Sequence, residues 1–184
     1  MLDLFKASKL VLDAFKERDQ QKMRKANDTI MTLSASRFSR EMYKLAVYSY
    51  VLSKVLSKPR FMSKKYRVTH KEIQAILNSM VRDAKKGDKR AFRVAVKGLR
   101  NSIQALESRD SRYIKGMVEK GRLKTAAILY AQGLSLSTAS KYTGVEKQEI
   151  MDYAGKTRMF DRVKGGKPLD ARLDSAREIL LGGA

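Results

Sequence analysis

Residues 122–155 read RLKTAAILYAQGLSLSTASKYTGVEKQEIMDYAG, a segment in which apolar residues at helical spacing alternate with turn residues. The first apolar stretch ends at Gly133, a residue suited to the left-handed conformation that closes a helix. Ser135 then predicts the N-cap of a second helix. Gly144 predicts a tight turn, after which apolar positions beginning at Ile150 return at helical spacing. The segment therefore predicts three short helices in a helix-turn-helix arrangement.

This segment also resembles a known family. Residues 130–145, YAQGLSLSTASKYTGV, followed by KQEIMDYAGKTR at 147–158, are similar to small archaeal proteins described as predicted helix-turn-helix transcriptional regulators. The resemblance is specific near the C-terminus and extends weakly over the N-terminal helices. It implies a DNA-binding regulator of transcription.

The rest of the chain is almost wholly helical by pattern, so the predicted fold class is all-α. Asp19 and Asp88 predict helix N-caps, Pro59 ends a third helix, and Thr69 with Glu72 predicts a capping box. We expect an N-terminal basic helical bundle over residues 1–107 and a helix-turn-helix domain over residues 108–184. The second domain is expected to end in a helix over about residues 168–181, and to begin with one near residue 110 whose glycines, including Gly121, indicate close packing or a bend.

The charge of the chain favours a polyanionic partner. Its 184 residues contain 40 Lys or Arg and 19 Asp or Glu, a net charge of +21. Residues 54–120 contain 19 of the cations and 6 of the anions, so the middle of the chain holds most of the excess. Nucleic acid is the first candidate and an anionic membrane surface the second. The longest apolar run, residues 126–131, is too short to cross a bilayer, and the lack of cysteine fits a cytoplasmic location.

Two groups of residues are candidates for nucleic-acid contacts. The helix-turn-helix segment offers side chains to base edges and phosphates, and the basic middle segment offers cations to phosphates. The candidates in the first group are Ser137, Thr138, Lys141, Lys147, Gln148, Lys156, Arg158 and Arg162, and those in the second are Lys85, Lys86, Lys89, Arg90 and Arg93.

A further basic stretch, residues 58–71, contains Phe61 and Tyr66 among six Lys or Arg residues. It is either an arm that stacks on bases of single-stranded nucleic acid or a connection whose aromatic side chains pack into the core. The second interpretation is slightly favoured. His70, the single histidine, is expected in the first turn of the next helix rather than in a metal site.

No catalytic, metal or cofactor site is predicted. The sequence lacks clustered His or Cys residues, and Gly155-Lys156-Thr157 resembles a phosphate-binding loop only superficially, because Ile150 stands where that loop needs a glycine. We therefore expect a non-enzymatic, sequence-specific DNA-binding protein, with double-stranded DNA as partner. Three carboxylates on the third helix, Glu146, Glu149 and Asp152, favour an alternative: an adaptor bound to RNA or a ribonucleoprotein, whose helix-turn-helix contacts a protein partner or a second copy of the chain.

Overall fold

A computed structural model describes residues 3–36, 39–109 and 116–162. All regular secondary structure in these ranges is helical, which confirms the all-α fold class. The helices are α1 Leu4–Lys16, α2 Gln20–Ser36, α3 Arg40–Leu56, α4 Arg67–Lys86, α5 Lys89–Arg109, α6 Met117–Ala131, α7 Leu136–Thr143, α8 Lys147–Lys156 and α9 Met159–Arg162, with short 3-10 turns at Pro59–Met62 and Lys64–Tyr66 between α3 and α4. The start of the helix predicted near residue 110 and the helix predicted over 168–181 lie outside the described residues.

The chain divides into two compact units, Met1–Arg122 and Leu123–Ala184, with the division inside α6. The sequence suggested a boundary after residue 107 instead. The reason for the difference lies at Gly121, where an added Cβ would come within 3.3 Å of side-chain atoms of Tyr50 and Val51 on α3. This close approach keeps the first turn of α6 in the first unit. The contact of Gly121 with α3 is the close packing that this glycine predicted from the sequence.

The first unit has a continuous apolar core. Helix α1 packs against α2, α3 and α4, while α2 packs on α3 and α5 packs on α3 and α4. The core residues that are almost fully buried include Val11, Ile30, Leu45, Leu52, Ile73, Leu77, Phe92, Leu99 and Ile103. One polar group stabilises the α2–α3 contact, since buried Asn27 donates to Ala46 O and to Ser49 Oγ, both at 2.8 Å.

Two of the predicted N-caps in this unit are confirmed, and the capping box is wrong. Asp19 Oδ1 accepts a hydrogen bond from Lys22 N at 2.9 Å, and Asp88 Oδ1 accepts one from Ala91 N at 2.8 Å. Thr69 is a buried residue inside α4, which begins two residues earlier at Arg67 with Tyr66 in the N-cap position. The start of this helix is set by the preceding 3-10 turn, because the turn buries the Tyr66 ring.

Candidate nucleic-acid interface

Helices α4 and α5 meet at a two-residue joint, Gly87-Asp88. Gly87 has φ 72°, and the bonds from its N to Ala84 O and from Asp88 N to Asp83 O close α4 in a Schellman motif. Asp88 then caps α5. Four of the predicted contact residues, Lys85, Lys86, Lys89 and Arg90, surround this joint and are exposed.

Lys89 and Arg90 occupy the first turn of α5, where the structure places no acidic residue. The amide groups at a helix N-terminus already carry partial positive charge, so cations there are unfavourable by a fraction of a kcal/mol. Lys85 and Lys86, by contrast, stand in the last turn of α4, where cations are favourable. Helix stability therefore accounts for Lys85 and Lys86 at the end of α4, but not for Lys89 and Arg90 at the start of α5.

A row of cations continues from the joint along α5. Lys89, Arg93, Lys97 and Arg100 are exposed and recur at every third or fourth residue, which confines them to an arc of about 80° and a length of about 16 Å. We call these four residues the α5 stripe. The spacing of Lys97 and Arg100 from Arg93 is visible in the sequence, within the basic middle segment that was expected to contact phosphates.

Arg93 has a second role within the fold. Its Nη1 lies 3.0 Å from Glu41 Oε1, and the Glu41 side chain is only 7% exposed while that of Arg93 is 47% exposed. The guanidinium thus neutralises a buried carboxylate at the start of α3. Its outer face remains accessible to a phosphate, because arginine has five N–H donors.

Arg100, at the end of the α5 stripe, lies near Tyr48 on α3, and Tyr43 lies near Tyr48. Burial raises the pKa of Tyr48, and the nearby Arg100 guanidinium acts in the opposite direction. Burial likewise raises the pKa of Tyr43 to about 12, against the effect of its hydrogen bond with Arg122. Arg122 Nη1 also donates to Glu119 Oε2 at 2.9 Å. Sequence reasoning missed this group, since Tyr43 and Tyr48 resemble ordinary core positions of an amphipathic helix.

In the second unit, the turns that flank α7 have the expected local geometry. Gly133 and Gly144 have φ of 107° and 66°, and Ser135 Oγ accepts from Thr138 N at 3.1 Å. The Gly133 turn is a second Schellman motif, while the Gly144 amide donates to Ser140 O at 2.8 Å. These glycines adopt the left-handed conformations that the sequence predicted.

Helices α7 and α8 pack together and leave the predicted contact residues largely outside the core. Their contact buries Ala139, Val145, Ile150 and Ala154. The accessible candidates on these helices are Ser137, Lys141, Lys147, Gln148 and Lys156, whereas Thr138 is half-buried and its hydroxyl lies 2.7 Å from Ser135 Oγ.

The exposed side of α8 has little positive charge at its start. Glu146, Glu149 and Asp152 are all exposed beside Lys147, and Gln148 Nε2 donates to Asp152 Oδ1 at 2.8 Å. A base-reading role for Gln148 therefore requires this intrahelical bond to open.

Three cations of this unit lie at the end of α8 and just after it. Lys156, Arg158 and Arg162 are exposed, and Arg158 has a left-handed φ of 47°. Burial raises the pKa of Tyr153 while the charge of Arg162 acts against that shift. These three cations suit phosphate contacts better than base contacts.

The aromatic residues of the basic stretch 58–71 do not form a stacking surface. Phe61 and Tyr66 are each about 1% exposed, and their rings pack edge to face with centroids 5.2 Å apart. The interpretation in which they enter the core is confirmed. Stacking of bases on this segment is excluded in this conformation.

Comparisons with protein-family models, with curated proteins and with solved structures give no match to this chain. Within the described ranges, no helix has the length and apolarity needed to span a membrane. In the same ranges, no three His, Asp or Glu side chains are grouped so that they could hold a metal ion.

Proposed function

We propose that the protein binds nucleic acid, with duplex DNA as its ligand, and that the α5 stripe and the adjoining α4–α5 joint supply most of the phosphate contacts. One observation supports this most strongly: four cations share one face of α5, and three of them, Lys89, Lys97 and Arg100, form no ion pair with a carboxylate of the described chain. Unpaired cations in a row match the regular negative charge of a phosphate backbone.

We further propose that α7 and α8 form a helix-turn-helix that adds sequence preference, with Lys147 and Gln148 at the base edges. Lys156, Arg158 and Arg162 then hold the flanking phosphates. Sequence-selective binding of this kind is the basis of a role in transcription regulation, as the resemblance of the sequence implies.

The experiment is a titration of a fluorescent DNA duplex at a series of salt concentrations. Log affinity should fall linearly with log salt, with a slope of about 0.9 per phosphate neutralised. The triple variant Lys89→Ala, Lys97→Ala, Arg100→Ala should bind more weakly to all sequences, and its slope should fall by about one unit for each contact removed.

The matched control removes three exposed cations elsewhere, through Lys9→Ala, Lys25→Ala and Lys120→Ala. It changes the net charge equally, so it separates a local interface from the general effect of a +21 chain. If both triple variants lose affinity equally, the α5 stripe is not the binding surface. A wild-type affinity that does not change with salt contradicts nucleic-acid binding itself.

The acidic face of α8 favours a second candidate function, an adaptor that binds RNA or a ribonucleoprotein through the first unit and a protein through α8. Tyr142 and Met151, 41% and 44% exposed, add exposed apolar area to the second unit. The double variant Lys147→Ala, Gln148→Ala distinguishes the two functions. Loss of about 1–3 kcal/mol of discrimination between selected and random duplex, for each lost base contact, supports DNA reading. Unchanged binding to both duplexes, with RNA the better competitor, supports the adaptor.

A further inference from the structure

The end of α1 and the first two turns of α4 enclose a pocket of about 210 Å³ in the first unit. Its polar lining consists of Lys16, Arg18, Arg67, His70, Lys71 and Gln74, and Phe15 forms its apolar wall. Four of these side chains are cationic and none is acidic. The pocket lies between α1 and α4, whereas the α5 stripe lies on α5. The sequence did not predict this group of cations, because residues 16–18 and 67–71 are far apart in the chain.

The cations of the pocket have no anionic partner within the structure that is described. Lys16, Arg18, Arg67 and Lys71 form no ion pair there. Two neighbouring carboxylates are engaged elsewhere, since Glu17 pairs with the Lys22 ammonium and Asp19 caps α2. All four cations are exposed, so water screens much of their mutual repulsion, and an anion in the pocket would be attracted by all of them.

The backbone at Arg18 adds an independent observation. Arg18 has φ 54°, and the bonds from Arg18 N to Phe15 O and from Asp19 N to Ala14 O, both 3.1 Å, close α1 in a Schellman motif. Glycine adopts this conformation without the steric cost that a side chain incurs. Here the position instead carries an arginine whose side chain lines the pocket.

The beginning of α4 contributes positive potential to the same pocket. Tyr66, in the N-cap position, makes no side-chain bond to the first turn of this 20-residue helix. Arg67 N–H donates to Lys64 O of the preceding turn, and the helix dipole adds partial positive charge beside Arg67 and His70. This helix end adds to the cationic side chains rather than acting as a site alone.

The imidazole of His70 can report the binding of an anion in the pocket. Its ring stacks on Phe15 with centroids 5.5 Å apart, and its Nε2 lies 2.6 Å from Phe61 O. A carbonyl oxygen only accepts, so Nε2 carries the proton and Nδ1 is the atom that titrates. Burial lowers the pKa of His70, the bond to Phe61 opposes this, and the charge of Arg18 lowers it further. An anion beside Arg18 would shift the titration upward.

We propose that this pocket binds a phosphoryl group, held by Arg18, Arg67, Lys16 and Lys71 with Gln74 as a hydrogen-bonding partner. The group is either inorganic phosphate or a small phosphomonoester, or a phosphate of a nucleic-acid strand. The proposal does not rest on the function proposed above, because inorganic phosphate alone tests it.

The test follows the single imidazole resonance by NMR while inorganic phosphate replaces chloride at constant ionic strength. Binding predicts a saturable shift of the resonance and a higher pKa for His70 in phosphate than in chloride. The variant Arg67→Gln, Lys71→Gln should weaken phosphate binding by about ten-fold or more, as expected for lost hydrogen bonds to a charged group. The control Lys25→Gln, Lys120→Gln changes the net charge equally at two exposed positions outside the pocket, the joint and the α5 stripe, and should bind phosphate as the wild type does.

Arg18→Gly separates binding from folding. It removes one cation and relieves the left-handed strain, so the melting temperature should rise or stay unchanged while phosphate affinity falls about ten-fold. A variant that melts at or above the wild-type temperature and still binds phosphate with wild-type affinity overturns the proposal.

A final pair of titrations distinguishes the sources of the phosphoryl group. Saturable binding of inorganic phosphate or of a nucleoside monophosphate, lost in the pocket variants, identifies a free anion. If only an oligonucleotide perturbs the His70 resonance, and the pocket variants abolish that effect, the group belongs to a strand. If none of these ligands gives a saturable shift, or if chloride reproduces it, the pocket is an ordinary solvated surface and the proposal fails.

Discussion

Replacement of Arg93 by alanine should destabilise the first unit, because it leaves the Glu41 carboxylate buried without its ion-pair partner. Removing one member of a fully buried pair typically costs 3–5 kcal/mol. Two features of the structure reduce that figure: Arg93 is 47% exposed, and Glu41 lies in the first turn of α3, where the helix end stabilises negative charge. We therefore expect a loss of about 1–2 kcal/mol, which for a chain of this size corresponds to a decrease in melting temperature of roughly 2–8 °C.

Thermal melts followed by circular dichroism measure this loss, and Lys97→Ala is the matched control. Lys97 is a cation of the same α5 stripe but has no ion pair with a carboxylate in the described structure, so its removal should change stability by less than about 0.5 kcal/mol. In a Glu41→Gln background, Arg93→Ala should cost much less than in the wild type, since the buried charge is gone. Equal melting temperatures for Arg93→Ala and Lys97→Ala would refute the structural role of the ion pair and leave Arg93 as a surface cation only.

Two further predictions concern the turn glycine and the histidine. Gly144→Val should destabilise the second unit by about 1–2 kcal/mol, because a β-branched residue is strained at φ 66°. Gly155 stands in the last turn of α8, and a Cβ added there meets no atom within 4 Å, so Gly155→Ala should stabilise the unit by up to about 1 kcal/mol. Thermal melts that place both variants on the same side of wild type contradict this reasoning. The folded protein should also lose stability as the pH falls below about 6.5, since the lowered pKa of His70 means that the unfolded chain takes up the proton first. Urea unfolding in chloride buffer at pH 7.5 and 5.5 measures the loss, and a His70→Gln variant with the same pH dependence as wild type would assign it to other groups.

The sequence predicted those parts of the fold that depend on neighbouring residues. Asp19 and Asp88 cap helices because an aspartate in the N-cap position can accept a hydrogen bond from the backbone amide three residues later. Gly133 and Gly144 close helices because few other residues tolerate their φ angles. The apolar faces of the helices could be predicted because apolar residues recur in the sequence at helical spacing.

The sequence pattern did not predict the features that depend on contacts between residues far apart in the chain. Thr69 and Glu72 have the spacing of a capping box, but burial of Tyr66 starts α4 earlier and places Thr69 inside the helix. The Glu41–Arg93 pair joins residues 52 positions apart, and no local pattern indicates it. The pocket beside His70 likewise depends on how α1 packs on α4. Its residues appear in the sequence only as members of a generally basic chain.

The Gly87-Asp88 joint has a consequence for how the chain folds. The glycine closes α4 and the aspartate starts α5 with atoms from the joint itself, so both helix boundaries are defined without help from the rest of the chain. The two helices then pack through residues that are close in sequence, and such contacts lose little loop-closure entropy as they form. We expect this hairpin to be structured in the transition state for folding, with α1 to α3 docking onto it afterwards. The α5 stripe would then be assembled before the core beneath it is complete.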